Sequence, residues 1–242
     1  MKRRDFIKLT ALSVVTASVP TIPLLGEKTT QQSRPNIVFI LSDDQGWNGL
    51  SIQMHPDIPN SKSDYYHTPS LERLAREGLR FSDAYAPAPM CTPSRASFLT
   101  GKSPAQLGMT NVGRNRKPWA WEKVEQAPST NTLSPDETTI GEVLRRAGYA
   151  TAYFGRWHLG TVGPGEHGFD VHDGPTGNED GAAADPNPKD IFGITERGSN
   201  FMEKNVKEGR PFYLQLWHCA VHDPLVMSRK TVVAFEIGFF WV

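Results

Sequence analysis

The sequence predicts an α/β layered domain on a largely parallel sheet, and three observations carry that expectation. Residues 37 to 41, Ile-Val-Phe-Ile-Leu, form a continuous apolar run rather than an alternating one, the pattern of a strand buried on both faces. Further along, segments with helical spacing alternate with short β-prone runs, the order expected of strands joined by helical crossovers. Two aspartates, Asp43 and Asp44, close the first run, at the carboxyl end of a strand where open α/β sheets collect their ligands. The bulk composition agrees: 242 residues, 38% hydrophobic and 21% charged, suffice for an ordinary globular core. Lysine plus arginine equals aspartate plus glutamate at 26 each, so no basic excess marks a nucleic-acid partner. Two cysteines are too few for a disulfide-stapled scaffold.

In chain order, residues 1–26, "MKRRDFIKLTALSVVTASVPTIPLLG", begin with a basic cluster and continue into a short apolar stretch from Leu9 to Val19. That stretch is short for a bilayer span, and the paired Arg3 and Arg4 resemble a twin-arginine signal, so periplasmic or secreted location and no membrane span are expected. An uncleaved basic anchor is the alternative. Residues 27–34 read as a polar linker. After the first strand, "HTPSLERLAREG" reads as a helix: Pro69 suits its first turn, Leu71, Leu74 and Ala75 share a face, and Gly78 stops it. In "MCTPSRASFLTG" Pro93 belongs to a first helical turn with Thr92 as its cap, and Gly101 ends the helix. "TTIGEVLRRAG" pairs Thr139 with Glu142 as a capping box and places Ile140, Val143, Leu144 and Ala147 on one face, before Gly148. "YATAYFG" and "PFYLQLW" read as further strands. Residues 104–135 and 161–190 resist assignment and read as long functional loops. Within the first, Trp119 and Trp121 either stack on a sugar ring or pin the loop down.

The chemistry concentrates at four places. Cys91 stands just ahead of a helix N-terminus, where free N–H groups and the macrodipole favour negative charge, and Arg95 lies four residues on. That arrangement suits an oxyanion substrate. The residue alone also reads as a structural thiol, or as half of a disulfide with Cys219. Asp43 and Asp44 offer hard oxygen ligands for Ca²⁺ or Mg²⁺, provided the chain turns there, as Gln45-Gly46 allows; a solvated acidic turn is the other reading. In "GRWHLG", Arg156 and His158 point to one side of an extended segment and Trp157 to the other. In "PFYLQLWHCAVHDPL", His222 and His218 are available histidines, and Cys219 reads as a small packing residue.

Cys91, Pro93, Ser94, Arg95, Thr100 and Gly101, together with "RPNIVFILSDDQG", "GRWHLG" and the histidine loop, resemble the formylglycine-dependent, arylsulfatase-like sulfatases. The resemblance runs from about Pro35 to Leu225, the N-terminal part of that family's catalytic domain. It implies an alkaline-phosphatase-like α/β sandwich, incomplete at the C-terminus, and hydrolysis of a sulfate ester on a sulfated small molecule or glycan. It implies that a formylglycine-generating enzyme oxidises Cys91 to Cα-formylglycine, whose hydrate attacks sulfur with one oxygen and expels sulfate with the other. Asp43, Asp44 and the residue-91 side chain then hold Ca²⁺ (Mg²⁺ being the alternative), Arg95 and Arg156 orient the nucleophile and the sulfate, and His158 and His222 handle protons or the leaving group. His222 also contacts the substrate, and His218 is structural. The family usually has lysine where Arg156 stands; arginine clamps an anion without giving up a proton. Beyond the histidine loop the family carries an Asp-Asn pair completing the calcium site, a sulfate-contacting lysine and a smaller subdomain, whereas residues 226–242 form an atypical tail. A non-catalytic remnant, or a phosphonate or phosphate monoester hydrolase, are therefore the alternative functions.

Overall fold

The computed structural model describes residues 34–113, 118–177, 187–223 and 225. The expected signal, the linker up to residue 33 and the tail lie outside the described residues. In chain order the elements are β1 (Ile37–Ser42), α1 (Pro69–Glu77), α2 (Cys91–Thr100), α3 (Pro104–Leu107), α4 (Ile140–Arg146), β2 (Ala150–Gly155), β3 (Val171–His172), α5 (Ile191–Lys207) and β4 (Phe212–His218). The four strands form one sheet in the order β1-β4-β2-β3, with every pairing parallel. Ile37 to Ser42 register against Tyr213 to His218, so β1 and β4 end together. Gly155, the last residue of β2, registers with Trp217 on the same line.

Side-chain alternation along β2 and β4 divides the core into two layers. Tyr153, Tyr213 and Trp217 face Ala96 and Leu99 of α2, with Leu107 of α3, Leu144 of α4, Trp157, Leu159 and Phe169 completing that layer. Ala152, Phe154, Phe212, Leu214 and Leu216 face Ile194 and Phe201 of α5. Both central strands are therefore buried on both faces, as parallel strands with helices on each side should be. The first strand differs from the expectation. Ile37, Phe39 and Leu41 pack inward, while Val38 and Ile40 are 42% and 63% exposed. The cause is position: β1 lies at the end of the described sheet, and α5 lies against β2 and β4.

Helix α1 follows the expected boundaries and stop, yet Leu71 and Leu74 are exposed. Both halves of the capping box of α4 form, Thr139 accepting from the Glu142 amide and the Glu142 side chain from the Thr139 amide. Of the segments that resisted assignment, the first contains α3 with a Ser103–Gln106 capping box, and the second contains β3 and ends at Asp190, the residue before α5. The long α5 was hidden by its two glycines and polar surface. Its buried residues, Ile194, Gly198, Phe201 and Asn205, nevertheless recur at helical spacing. Gly198 is where the helix approaches the sheet, since a Cβ there would lie 3.0 Å from Leu216 Cδ2.

His167 is wholly buried beside Trp157, ring centroids 5.3 Å apart, and neither ring nitrogen has a hydrogen-bond partner among the described residues. Its carbonyl accepts from Thr139 Oγ1 at 2.5 Å. Burial pushes the imidazole below its usual range; Glu142 and Glu166 pull the other way and do not prevail. The unfolded chain takes up a proton near the ordinary histidine pKa of about 6.5, whereas the folded chain resists until lower pH. Stability from neutral His167 is therefore present above that value and lost as pH falls toward the folded pKa. The melting temperature should drop between neutral pH and pH ~5, and replacing His167 by leucine should make that drop visibly shallower in a thermal-melt pH series.

Candidate active site

The site forms where β1, β2 and β4 end together. Asp43 continues the β1–β4 pairing by one bond, its amide donating to the His218 carbonyl at 2.9 Å. The chain then turns at Asp44, which takes a left-handed conformation (φ 59°), so that both aspartates look into the same opening. The turn that the sequence required is present. β2 ends at Gly155 with φ 98°, and a Cβ there would lie 2.2 Å from the Trp217 carbonyl oxygen, so only glycine lets the chain leave the sheet here. The next residue, Arg156, is directed back over the strand ends.

The third contributor is α2. Its first residue is Cys91, two positions earlier than expected, and Met90 rather than Thr92 holds the cap position without a side-chain bond. Thr92 lies inside the first turn, where its hydroxyl donates to the His158 carbonyl at 3.1 Å. Cys91 thus belongs to the helix mouth itself, in the field of the uncapped amides. The bond from Thr92 also explains the tie between α2 and the "GRWHLG" segment. That segment is not extended throughout, because His158 has φ 54°. The expected division nevertheless appears: Trp157 is fully buried, while Arg156 and His158 share a side.

One carboxylate joins the parts. Asp43 Oδ2 accepts from Arg95 Nη2 at 2.6 Å and from Arg156 Nη1. All three side chains are buried, the arginines at 1% and 3% exposure. Arg95 also donates through Nη1 to the Arg156 carbonyl and lies 4.2 Å from the Trp217 ring centroid. Burial alone would raise the Asp43 pKa, but the charges and hydrogen bonds of Arg95 and Arg156 hold it below the ordinary carboxylate value. Two guanidinium groups on one carboxylate leave a buried excess of positive charge beside Cys91.

Arg156 Nη2 reaches Cys91 Sγ at 3.5 Å and His158 Nδ1 at 2.8 Å. A guanidinium only donates, so Nδ1 is the acceptor and the neutral imidazole carries its proton on Nε2. Cys91 Sγ lies 3.3 Å from the same Nδ1. Burial first, then the charges of Arg156 and Arg95, push His158 down to about 4, so the ring is neutral at physiological pH.

His222 stands opposite, Nε2 lying 3.6 Å from Asp44 Oδ2. Its Nδ1 meets the Asp223 carbonyl oxygen at 2.5 Å and must donate there, which turns Nε2 toward the carboxylate. Asp43, Asp44 and His222 each offer one ligand atom, all within 4.8 Å of one another. A cation set between these groups would meet one donor atom from each. The two carboxylates are the hard donors that suit Ca²⁺ or Mg²⁺, and Asp43 Oδ2 already belongs to the arginines, which leaves Oδ1 for a cation. The residues present fit such an ion.

All seven residues singled out from the sequence, Asp43, Asp44, Cys91, Arg95, Arg156, His158 and His222, therefore lie in one connected cluster. Three neighbours escaped the sequence reading. Cys219 is no core packing residue: its thiol approaches Asp43 Oδ2 at 3.7 Å, and its place just after β4 was the available signal. Lys189, only 6% exposed, donates to the His222 carbonyl from a segment whose sequence carries no motif. Thr92 lay inside the motif but was read as a cap. His218 ends β4 half-buried, and Trp119 and Trp121 are exposed at 60% and 76%.

A parallel sheet covered by helices, with acids at its strand ends facing a helix mouth, defines the class as an alkaline-phosphatase-like α/β fold. Solved structures agree. "Crystal structure of Ps i-CgsB in complex with k-i-k-neocarrahexaose" aligns with TM-score 0.64 at 24% identity, over 84% of this chain and 49% of that one. "Structure of BT4656 in complex with its substrate D-Glucosamine-2-N, 6-O-disulfate" aligns with TM-score 0.63 at 26% identity, over 86% of this chain and 39% of that one. The sulfatase family profile matches residues 35–239, and the chain belongs to the sulfatase family. Arylsulfatase G of Rattus norvegicus is 30% identical over 92% of this chain and 48% of its own length, so the chain spans about half of that relative.

Removing the shared carboxylate should be costly even without metal. Asp43→Asn leaves two buried guanidinium groups with no compensating charge, which costs about 3–5 kcal/mol. Chemical denaturation of the chelator-treated protein measures it, and a loss under about 1 kcal/mol would show that the pair is not a structural tie.

Proposed function

We propose that the protein hydrolyses a sulfate ester, with the side chain of residue 91 as nucleophile after oxidation of Cys91 to Cα-formylglycine. The observation that carries this reading is the convergence on Cys91: a helix mouth, the Arg156 guanidinium at 3.5 Å and His158 Nδ1 at 3.3 Å, beside a carboxylate pair. A thiol can attack an ester once, but only a hydrated aldehyde has a second hydroxyl whose ionisation expels the sulfate and regenerates the carbonyl. Membership of the sulfatase family supports the same chemistry.

In this reading Arg95 keeps residue 91 and Asp43 in register and stays out of the chemistry. Arg156 places positive charge where the sulfuryl oxygens gather negative charge in the transition state. His158, neutral with its proton on Nε2, offers a donor to the oxygen of the departing alcohol, and His222 Nε2 offers a lone pair that accepts a proton. Asp43 and Asp44 would hold Ca²⁺ or Mg²⁺, which supplies charge stabilisation at the sulfate when bound. The substrate class proposed is a sulfated sugar or small aromatic sulfate. The disulfated glucosamine bound by the 26%-identical relative BT4656 supports the sugar. Export through the N-terminal signal, division into a catalytic part (35–225) and a tail (226–242), and maturation by a formylglycine-generating enzyme belong to the same proposal. No helix among the described residues is long and apolar enough to cross a membrane.

Peptide mass spectrometry of protein from its native host should find sulfur at residue 91 replaced by carbonyl oxygen, and Cys91→Ala should abolish turnover of an aryl sulfate at unchanged melting temperature. An untouched thiol in turnover-competent protein would remove formylglycine from the mechanism. Ca²⁺ at about 100 times its Kd should stabilise the protein by about 2.7 kcal/mol, and Asp44→Asn should largely cancel that gain. A melting temperature indifferent to both would remove the aspartates as metal ligands.

A further inference from the structure

The turn from Gly155 to His158 delivers both Arg156 and His158 to the site, and it has no regular secondary structure to hold it. Its backbone is held instead by the segment that follows β3. Thr176 Oγ1 donates to the Gly155 carbonyl at 2.6 Å and accepts from the Trp157 amide at 2.9 Å. The Thr176 carbonyl accepts from the His158 amide at 3.0 Å. Asp173 Oδ2 accepts from the Gly155 amide at 2.8 Å and is itself anchored by Arg197 Nη2 at 2.8 Å, which also reaches Asp190 Oδ2 at 2.7 Å. The remaining groups go elsewhere. The Arg156 amide donates to the Trp217 carbonyl at 3.2 Å, and the Arg156 carbonyl accepts from Tyr153 Oη at 2.7 Å and from Arg95.

We infer that Thr176 is a positioning residue for the hydrolysis proposed above: its hydroxyl spans the turn from Gly155 to Trp157 and thereby sets where Arg156 and His158 meet residue 91. The inference rests on that functional reading. A hydroxyl is required, because the one atom both donates and accepts across the turn. The β-methyl group restricts χ1 and keeps that atom in place. The turn also needs holding. Gly155 and His158 both have positive φ, 98° and 54°, a region uncommon for any non-glycine residue, histidine included. Thr176 touches neither Cys91 nor any residue assigned to the metal. Its influence passes through the backbone, and a shift of about 1 Å in Arg156 or His158 is enough to cost up to a hundredfold in rate.

The test compares Thr176→Val, which keeps the shape and removes the hydroxyl, with Thr176→Ser, which keeps the hydroxyl. Both are made in the full natural chain, matured at residue 91 and supplied with Ca²⁺. Thr176→Val should lower kcat/KM for an aryl sulfate by roughly ten- to a hundredfold with little change in melting temperature, and Thr176→Ser should restore most of it. Amide hydrogen exchange at Trp157 and His158 should rise by about tenfold or more in the valine variant and return toward wild type in the serine variant. A valine variant with wild-type kcat/KM and wild-type exchange overturns the inference, as does a loss that follows the melting temperature and is not rescued by serine. Matured wild-type protein with no activity on sulfate esters would defeat the functional reading instead. The exchange comparison would then still decide whether Thr176 holds the turn, and unchanged protection in the valine variant would overturn that too.

Discussion

The organisation of the site depends on one buried carboxylate shared by two arginines. Asp43 comes from the end of β1, Arg95 from α2 and Arg156 from the turn after β2, and the three meet at a single oxygen, Oδ2. None of these groups is stable there alone, since an isolated charge away from water costs several kcal/mol. Together they tie the first strand, the cysteine-bearing helix and the "GRWHLG" turn into one unit. The Trp217 ring under Arg95 and the thiol of Cys219 beside Asp43 close the cluster from the β4 side. A fold that places three strand ends on one line thereby becomes a fold with one charge-dense opening, and the mouth of α2 looks into it.

Much of this was legible in the sequence, for reasons that differ between elements. The strand ends could be read because an apolar run followed by Asp43-Asp44 marks both the strand and the edge where it stops. The α4 capping box could be read because Thr139 and Glu142 satisfy each other through bonds local in sequence. The helix that places Cys91 was legible to within two residues. Its true start depended on a tertiary bond, Thr92 to the His158 carbonyl, that spans 66 residues and leaves no local trace. The same limit hid α5, whose Gly198 reads as a helix breaker until Leu216 of the sheet is placed against it. It also misjudged β1. Apolar residues at every position signal a capacity for two-sided burial, but which face is covered depends on where the neighbouring helices lie. The roles of Lys189, Cys219 and Thr176 were hidden for this reason too: each acts on a partner far away in sequence, and none belongs to a motif.

Arg156 shows how a departure from a family pattern can be read physically. A lysine is a single point charge on a flexible stem, and in this crowded space it would serve one or two acceptors. The planar guanidinium fork reaches Asp43 with one nitrogen and both Cys91 and His158 with the other. This geometry also fixes the histidine. Because Arg156 can only donate, His158 must present a lone pair at Nδ1 and keep its proton at Nε2, and the nearby positive charges keep the ring from taking up a second proton. Arg156 therefore does more than clamp an anion, for it also fixes the tautomer of the neighbouring side chain.

The two histidines are consequently left in opposite states by their surroundings. His158 accepts at Nδ1 and holds a proton at Nε2; His222 donates at Nδ1 to the Asp223 carbonyl and turns Nε2 toward Asp44. In each ring the partner of Nδ1 sets its role, a guanidinium in one case and a carbonyl in the other. A site built to move a proton from one place to another needs one donor and one acceptor, and two identical imidazoles become such a pair only through different neighbours. The guanidinium of Arg156 supplies half of that asymmetry. The other half comes from the loop after β4, whose position Lys189 secures by its bond to the His222 carbonyl. Charge stabilisation and proton placement are thus separated in this cluster. The arginines, which stay charged, hold the field constant, and the histidines, whose protons are placed by single hydrogen bonds, are free to exchange them.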